Sequence, residues 1–220
     1  MNIVVLGAGG HGIVVVELVL TQTDRFSLIG VLDSSKPVGT SVGASRVCGT
    51  ESDLPSLITD KHVQGIVVAI GDNAVRQRVV ERLRANHPSL AFPSVISTQA
   101  VVARGAVIRD ACVVCHGAVI GAEAVLAEGC LVNTRASLDH NGRMEPFASL
   151  APGVVTGGNV VIGSGAALCI GVVMVHGVSV GDGTVVGAGA TVIRSLPAGV
   201  VAYGTPARVV RDRAPGDKYL

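Results

Sequence analysis

Cut every six residues, positions 95–196 read VISTQA, VVARGA, VIRDAC, VVCHGA, VIGAEA, VLAEGC, LVNTRA, SLDHNG, RMEPFA, SLAPGV, VTGGNV, VIGSGA, ALCIGV, VMVHGV, SVGDGT, VVGAGA and TVIRSL. These are seventeen hexads with no insertion and no slip. The second position is Ile, Val, Leu or Met in 16 of the 17, Thr156 being the exception, and the sixth is mostly Ala, Cys, Gly or Val. A strand period of two would make alternate positions equally strict. A 3.6-residue helix drifts off a six-residue grid within two repeats. A hexad with one aliphatic and one small inward residue instead describes one flat side of a coil. Three sides close a triangular turn of 18 residues, and stacked turns pair as parallel strands about 4.8 Å apart. Residues 94–196 therefore form between five and six coils, and 197–220 a capping segment. Large rings do not fit such a grid, which accounts for the scarcity of aromatics: Phe26, Phe92, Phe147, Tyr203 and Tyr219 are all there are.

Residues 1–93 have another texture. Asn2–Leu6 reads as a strand, followed by the turn Gly7-Ala8-Gly9-Gly10-His11-Gly12 and a packed helix over 12–22. Ser27–Leu32 is a second strand ending at Asp33, residues 34–50 read as loop, Val63–Ile70 is a third strand, and Gly71-Asp72-Asn73 opens a helix to about Ala85. Strands alternating with helices predict a small parallel α/β sheet. The turn matches G-x-G-x-x-G at Gly7, Gly9 and Gly12, after a strand and before a helix, with Asp33 placed as the ribose-binding acid: a Rossmann-like fingerprint. Its N–H groups would face a diphosphate. A dinucleotide needs two βαβ halves, and this segment has room for one, so a nucleotide-linked sugar fits better than NAD. Gly71 and Asn73 lie at the carboxyl end of another strand, and Arg76 on the following helical turn could neutralise phosphate. The bland alternatives are a glycine turn that only packs its helix and a solvated Arg76.

The 220 residues carry 17 basic and 16 acidic side chains, a formal charge of +1, so no basic face is offered to nucleic acid or to an anionic membrane. No apolar run approaches a membrane span, no signal peptide is evident, and five cysteines, an odd number, predict reduced thiols in the cytoplasm. Cys112 and Cys130, 18 residues apart, should stack inside the coil as small filling, while Cys115 should face outward. Among the histidines, His116, His140 and His176 share hexad position four, near a corner and pointing out. His140, flanked by Asp139 and Asn141, is the candidate general base, since imidazole accepts a proton near neutrality. His176 should stand two coils away on the same side, about 10 Å off. No third histidine follows to complete a zinc site, so no metal is expected.

The hexads resemble those of the hexapeptide-repeat acyltransferases, which implies a left-handed parallel β-helix. The order of motifs is similar to the nucleotide-sugar acetyltransferases, the group of sialic-acid O-acetyltransferases, UDP-4-amino-sugar N-acetyltransferases and GDP-perosamine N-acetyltransferases. The resemblance covers nearly the whole chain. It rests on GAGGHG at 7–12, VLD at 31–33, GDN with Arg76, HP at 87–88, LDH at 138–140, APG at 151–153, and the closing VVGAGATVI and YGTPARVV. It implies that Gly9, Gly10 and His11 hold the nucleotide-sugar phosphates, that Asp33, Ser34 and Gly71 complete that site, and that His140 is the catalytic base. It further implies that Gly158, Ile170 and Ala188 lie along an acetyl-CoA groove, and that the chain is a homotrimer with active sites between subunits. Two positions depart from the pattern. Relatives often carry an acid where Asn141 stands, and a coenzyme-associated His where Ser149 stands. The expected activity is transfer of acetyl from acetyl-CoA to the amine of a UDP- or GDP-linked 4-amino sugar, in glycan biosynthesis. O-acetylation of a sialic-acid-type hydroxyl, a nucleotide-sugar-binding trimer without turnover, and an NAD-linked oxidoreductase are the alternatives.

Overall fold

The apolar segments near the start of the chain pair into one sheet. Strand β1 (Asn2–Leu6) lies between β2 (Ser27–Leu32) and β5 (Gly65–Val68), parallel to both. Beyond β2 come β4 (Ser45–Gly49), parallel to it, and β3 (Ser41–Val42), antiparallel to β4, giving the order β3-β4-β2-β1-β5. Helices α1 (Gly10–Leu20) and α2 (Leu54–Asp60) connect these strands, and α3 (Asn73–Asn86) follows β5. Ile3, Leu18, Leu32, Leu54, Ile66 and Leu83 are fully buried. The computed structural model describes residues 1–214 and 217. Within it, residues 1–71 with 75–98 cluster as one unit, and 72–74 with 99 onward as the second.

Three details of the first unit depart from the expectation. Helix α1 starts at Gly10, not at residue 12, because Gly9 already has extended cap geometry. The third strand is confined to Gly65–Val68. The stretch 34–50 is not loop throughout: Gly43 takes a φ of +56°, which lets β3 and β4 fold back on each other as a hairpin.

In the second part each of the seventeen hexads contributes a two-residue strand at its first two positions, from β6 (Val95–Ile96) to β22 (Thr191–Val192). Partners are 18 residues apart and parallel: Val119 faces Ser137, Val125 faces Arg143, Leu131 faces Ser149. The result is a left-handed parallel β-helix of triangular section. Second-position residues such as Ile120, Leu126, Leu138, Met144, Leu150 and Ile162 fill the interior, and the sixth-position alanines from Ala118 onward lie buried between them. Each such aliphatic side chain contributes about 1.5–3 kcal/mol by leaving water. The fifth position of every hexad from Gly105 to Gly189 has positive φ, between 55° and 80°. Each coil therefore turns its three corners with a left-handed residue, mostly Gly.

Cys112 and Cys130 are buried as expected, and their thiols donate to the carbonyls of Ala127 and Glu145 at 3.1 and 3.3 Å. Cys115 does not face water. The outer face of its side is buried, and burial pushes its thiol up to about 12. After the last hexad, β23 (Val200–Tyr203) extends the sheet parallel to Val185–Val186, and β24 (Arg208–Asp212) closes on it antiparallel. The final positions of the expected capping segment, 215–216 and 218–220, lie outside the described residues.

Candidate active site

In the first unit the chemistry gathers where β1 meets α1. A side chain at Gly12 would strike the Gly7 carbonyl, and Gly7 itself has a φ of +115°, so both glycines are required by the turn. Gly9 and Gly10 are different: they face open space and are exposed. The first N–H groups of α1 lack intrahelical acceptors and carry the positive end of the helix dipole. His11 stands on that first turn. Its Nε2 is buried and has no hydrogen-bond partner among the described residues. Burial, helped by the Arg76 charge, lowers its pKa to about 4, so the ring is neutral near pH 7.

Asp33 and Arg76 are more enclosed than the sequence suggests. Asp33 Oδ2 accepts from Ala8 N–H at 2.7 Å, and Oδ1 accepts from the Ser35 N–H, the Ser35 hydroxyl and the Lys36 N–H. Partial burial pushes the carboxyl up, but these hydrogen bonds outweigh it and hold it below the ordinary range. Lys36 Nζ donates to the Ala8 carbonyl at 2.6 Å. Asp33 thus locks the glycine turn to the loop after β2. Ser34 beside it remains exposed. Arg76 is buried and not solvated, and Nη1 donates to the carbonyls of Ile70 and Gly71 at 3.0 and 3.1 Å.

The sequence places Asn73 with the substrate and Ser149 with the coenzyme. Both are buried, and they meet each other: Asn73 Nδ2 donates to Ser149 Oγ at 2.9 Å, to the Ala166 carbonyl at 3.0 Å and to the Gly165 carbonyl at 3.3 Å. An amide nitrogen so engaged pins residues 72–74 to the β-helix, with Ser149 Oγ among its acceptors.

On the β-helix, His140 is exposed at a corner. Asn141 follows with a φ of +55°, a conformation asparagine tolerates better than most side chains. Its Oδ1 lies 3.0 Å from His140 Nδ1. With the amide oxygen in that place as acceptor, the tautomer that fits carries its proton on Nδ1 and presents the Nε2 lone pair. The Nε2 edge lies over Gly158, where a side chain would collide with the ring. The His140 N–H donates to Asp139 Oδ1 at 2.6 Å. His176 is nearer than its two-coil separation predicts: the ring centroids are 6.0 Å apart. Gly158 is the rung between them, and without a side chain there the two rings lean together. Asn159 Nδ2 sits 3.4 Å from His176 Nε2. Among the described residues no group of three or more His, Cys, Asp or Glu side chains could hold a metal.

The 18-residue register decides which of the remaining residues can meet. His140, Gly158 and His176 share one corner, whereas exposed Ile170 and Ala188 stand on another. One residue escaped the reading from sequence. Thr156 is buried, and its Oγ1 accepts the Asp139 N–H at 3.1 Å. Its signal was already present, as the single break in the aliphatic second position.

Comparison with known proteins adds three findings. Residues 2–83 match the family model of the PglD N-terminal domain. The curated UDP-N-acetylbacillosamine N-acetyltransferase of Bacillus subtilis is 32% identical over 114 residues, covering 51% of this chain and 50% of that protein, so the match spans about half the length of that relative. Two solved structures align over nearly everything. A variant of GDP-perosamine N-acetyltransferase from Caulobacter crescentus, in complex with CoA and GDP-perosamine, is 30% identical, covers 96% of this chain and 98% of its own, and has a TM-score of 0.87. The acetyltransferase domain of PglB from Neisseria gonorrhoeae, in complex with acetyl coenzyme A, is 32% identical over 95% of this chain and 98% of its own, with a TM-score of 0.86.

Proposed function

Because the chain belongs to the nucleotide-sugar N-acetyltransferase family of hexapeptide-repeat proteins, we propose that it transfers acetyl from acetyl-CoA to the amine of a UDP- or GDP-linked 4-amino sugar, with His140 as general base. The observation that carries this reading is the placement of His140, exposed at its corner with Nδ1 3.0 Å from Asn141 Oδ1 and its Nε2 edge over Gly158. The neutral amine attacks the thioester carbonyl and a C–N bond forms. His140 Nε2 takes the proton from nitrogen, the C–S bond breaks, and the proton passes to the departing CoA thiolate. The Gly158 N–H, at the same corner, is the candidate donor to the oxyanion. No step requires a metal.

The nucleotide sugar would sit at the first unit, its diphosphate against Gly9, Gly10 and neutral His11, with Gly71 and exposed Ser34 at the margin. Asp33, Asn73 and Arg76 would build this site without touching the ligand. Acetyl-CoA would run along the β-helix past Gly158, Ile170 and Ala188. One chain puts these residues on two corners, so a groove lined by all of them needs two chains. The outer face bearing Val101, Val119, Val155 and Val173 is exposed and apolar. Such a face suits packing against further copies, and we read the assembly as a homotrimer. A cytoplasmic place in glycan biosynthesis is in keeping with the absence of disulfides among the described residues and with an acetyl-CoA co-substrate.

The test is thiol release from acetyl-CoA against a panel of UDP- and GDP-4-amino sugars, with free sialic acids included. Release with one nucleotide amino sugar supports the reading. Release only with a sialic acid moves it to O-acetylation. Silence throughout favours binding without turnover. His140→Ala should lower kcat by about 10²–10⁴-fold while acetyl-CoA still binds. An unchanged kcat would remove His140 from the mechanism.

A further inference from the structure

Along the side of the β-helix that leads to His140, the N–H of each hexad's third residue donates to the carbonyl of the second residue one coil on. Ala103 donates to Ile120, Gly121 to Leu138, Gly157 to Met174 and Val175 to Val192, at 2.9, 2.8, 2.7 and 3.0 Å. The rung that carries His140 departs from this rule. The Asp139 N–H donates to Thr156 Oγ1 at 3.1 Å. The strand register there pairs only Ser137 with Val155, whereas the rungs on either side pair two residues each. Thr156 is also the one second-position residue that is not aliphatic, and it is buried at 4% exposure. The break in the hexad rule and the break in the ladder are therefore the same event, and it falls one residue before His140.

We propose that Thr156 is a positioning residue for His140: its hydroxyl, in place of a ladder carbonyl, sets the backbone at Asp139 from which the imidazole reaches over Gly158. The setting passes on through two contacts. The His140 N–H is held by Asp139 Oδ1 at 2.6 Å. Gly158, on which the ring lies, follows Thr156 by two residues on the same rung. An aliphatic residue at 156 would satisfy the core and return Asp139 to the regular ladder, moving the start of the corner. This inference rests on the reading of His140 as the base, since small displacements of a reacting group cost rate while leaving binding intact.

Thr156→Val and Thr156→Ser in the full chain test it. Thr156→Val restores the hexad consensus and should melt no lower than the wild type. It should lose about tenfold in kcat with both KM values unchanged. Thr156→Ser keeps the hydroxyl and should stay within about twofold of wild type. A Val variant with wild-type turnover, or a Ser variant that falls as far as Val, overturns the proposal. Ring-¹⁵N histidine spectra give a second readout that needs no turnover: the His140 signals should shift in Thr156→Val and persist in Thr156→Ser. Unshifted His140 signals in the Val variant overturn the positioning role. A wild-type protein that acetylates no acceptor overturns the functional reading alone. Should Thr156→Val fail to fold, Thr156→Ala carries the same comparison with Thr156→Ser.

Discussion

A single imidazole shows how placement changes chemistry within this chain. His140 is exposed and held by one amide oxygen, whereas His11 is enclosed beside Arg76. Burial and the Arg76 charge lower the His11 pKa from the ordinary 6.5 to about 4, so the folded state resists a proton that the unfolded chain accepts. Between those values the unfolded state binds more protons, and stability rises with pH. The His11 contribution is complete above pH 6.5 and is lost as pH falls toward 4. We expect the wild type to lose up to about 3 kcal/mol across that window from this group. Denaturant melts of wild type and His11→Gln at pH 4.5 and 7.5 check the sign: the variant should show the flatter dependence. The same neutrality bears on the proposed binding site, where a neutral His11 would meet a diphosphate as a hydrogen-bonding group and not as a cation.

At the scale of an element, the strand–turn–helix at the start of the chain works through two glycines that face inward and two that face outward. Gly12→Ala would drive a methyl into the Gly7 carbonyl. We expect it to lower stability by about 1–3 kcal/mol and to weaken nucleotide-sugar affinity, readable by thermal melting and calorimetric titration. This element was legible from sequence because Gly-x-Gly-x-x-Gly between a strand and a helix has a steric meaning wherever it occurs. The same local reading failed for residues 34–50. The β3–β4 hairpin contains a two-residue strand, and it stands because β4 joins β2, a long-range pairing without local periodicity. In the β-helix the opposite held. Every predicted hexad became a side, since the 18-residue register repeats one local rule. The rule failed once, at Thr156, and there it marked the rung beneath the candidate base.

For the whole molecule, the question is what covers the valine face. If copies of the chain pack there, charge should separate them. Val155→Asp with Val173→Asp should convert a trimer into monomers in light scattering. Acetyl transfer should fall with it, because His140 and Ile170 occupy different corners of one chain. Monomers with full activity would place the acetyl-CoA groove within a single chain.

The fold was written in the sequence to an unusual depth, since a hexad states its own neighbours: residue i meets i + 18 by construction, and inward positions demand aliphatic or small side chains. The exposed corner position of His140 was legible for the same reason, while its reading as a base came from the family resemblance. What only the tertiary structure decided was the destination of individual polar atoms. Asp33 turned its carboxylate to the Ala8, Ser35 and Lys36 backbone, Arg76 turned to the carbonyls of Ile70 and Gly71, and Asn73 found Ser149. Hydrogen-bonding side chains next to a glycine turn or a helix start read alike whether they hold a ligand or the protein itself. An enclosed donor or acceptor must be paired, and its nearest partner is fixed by packing between segments far apart in the chain.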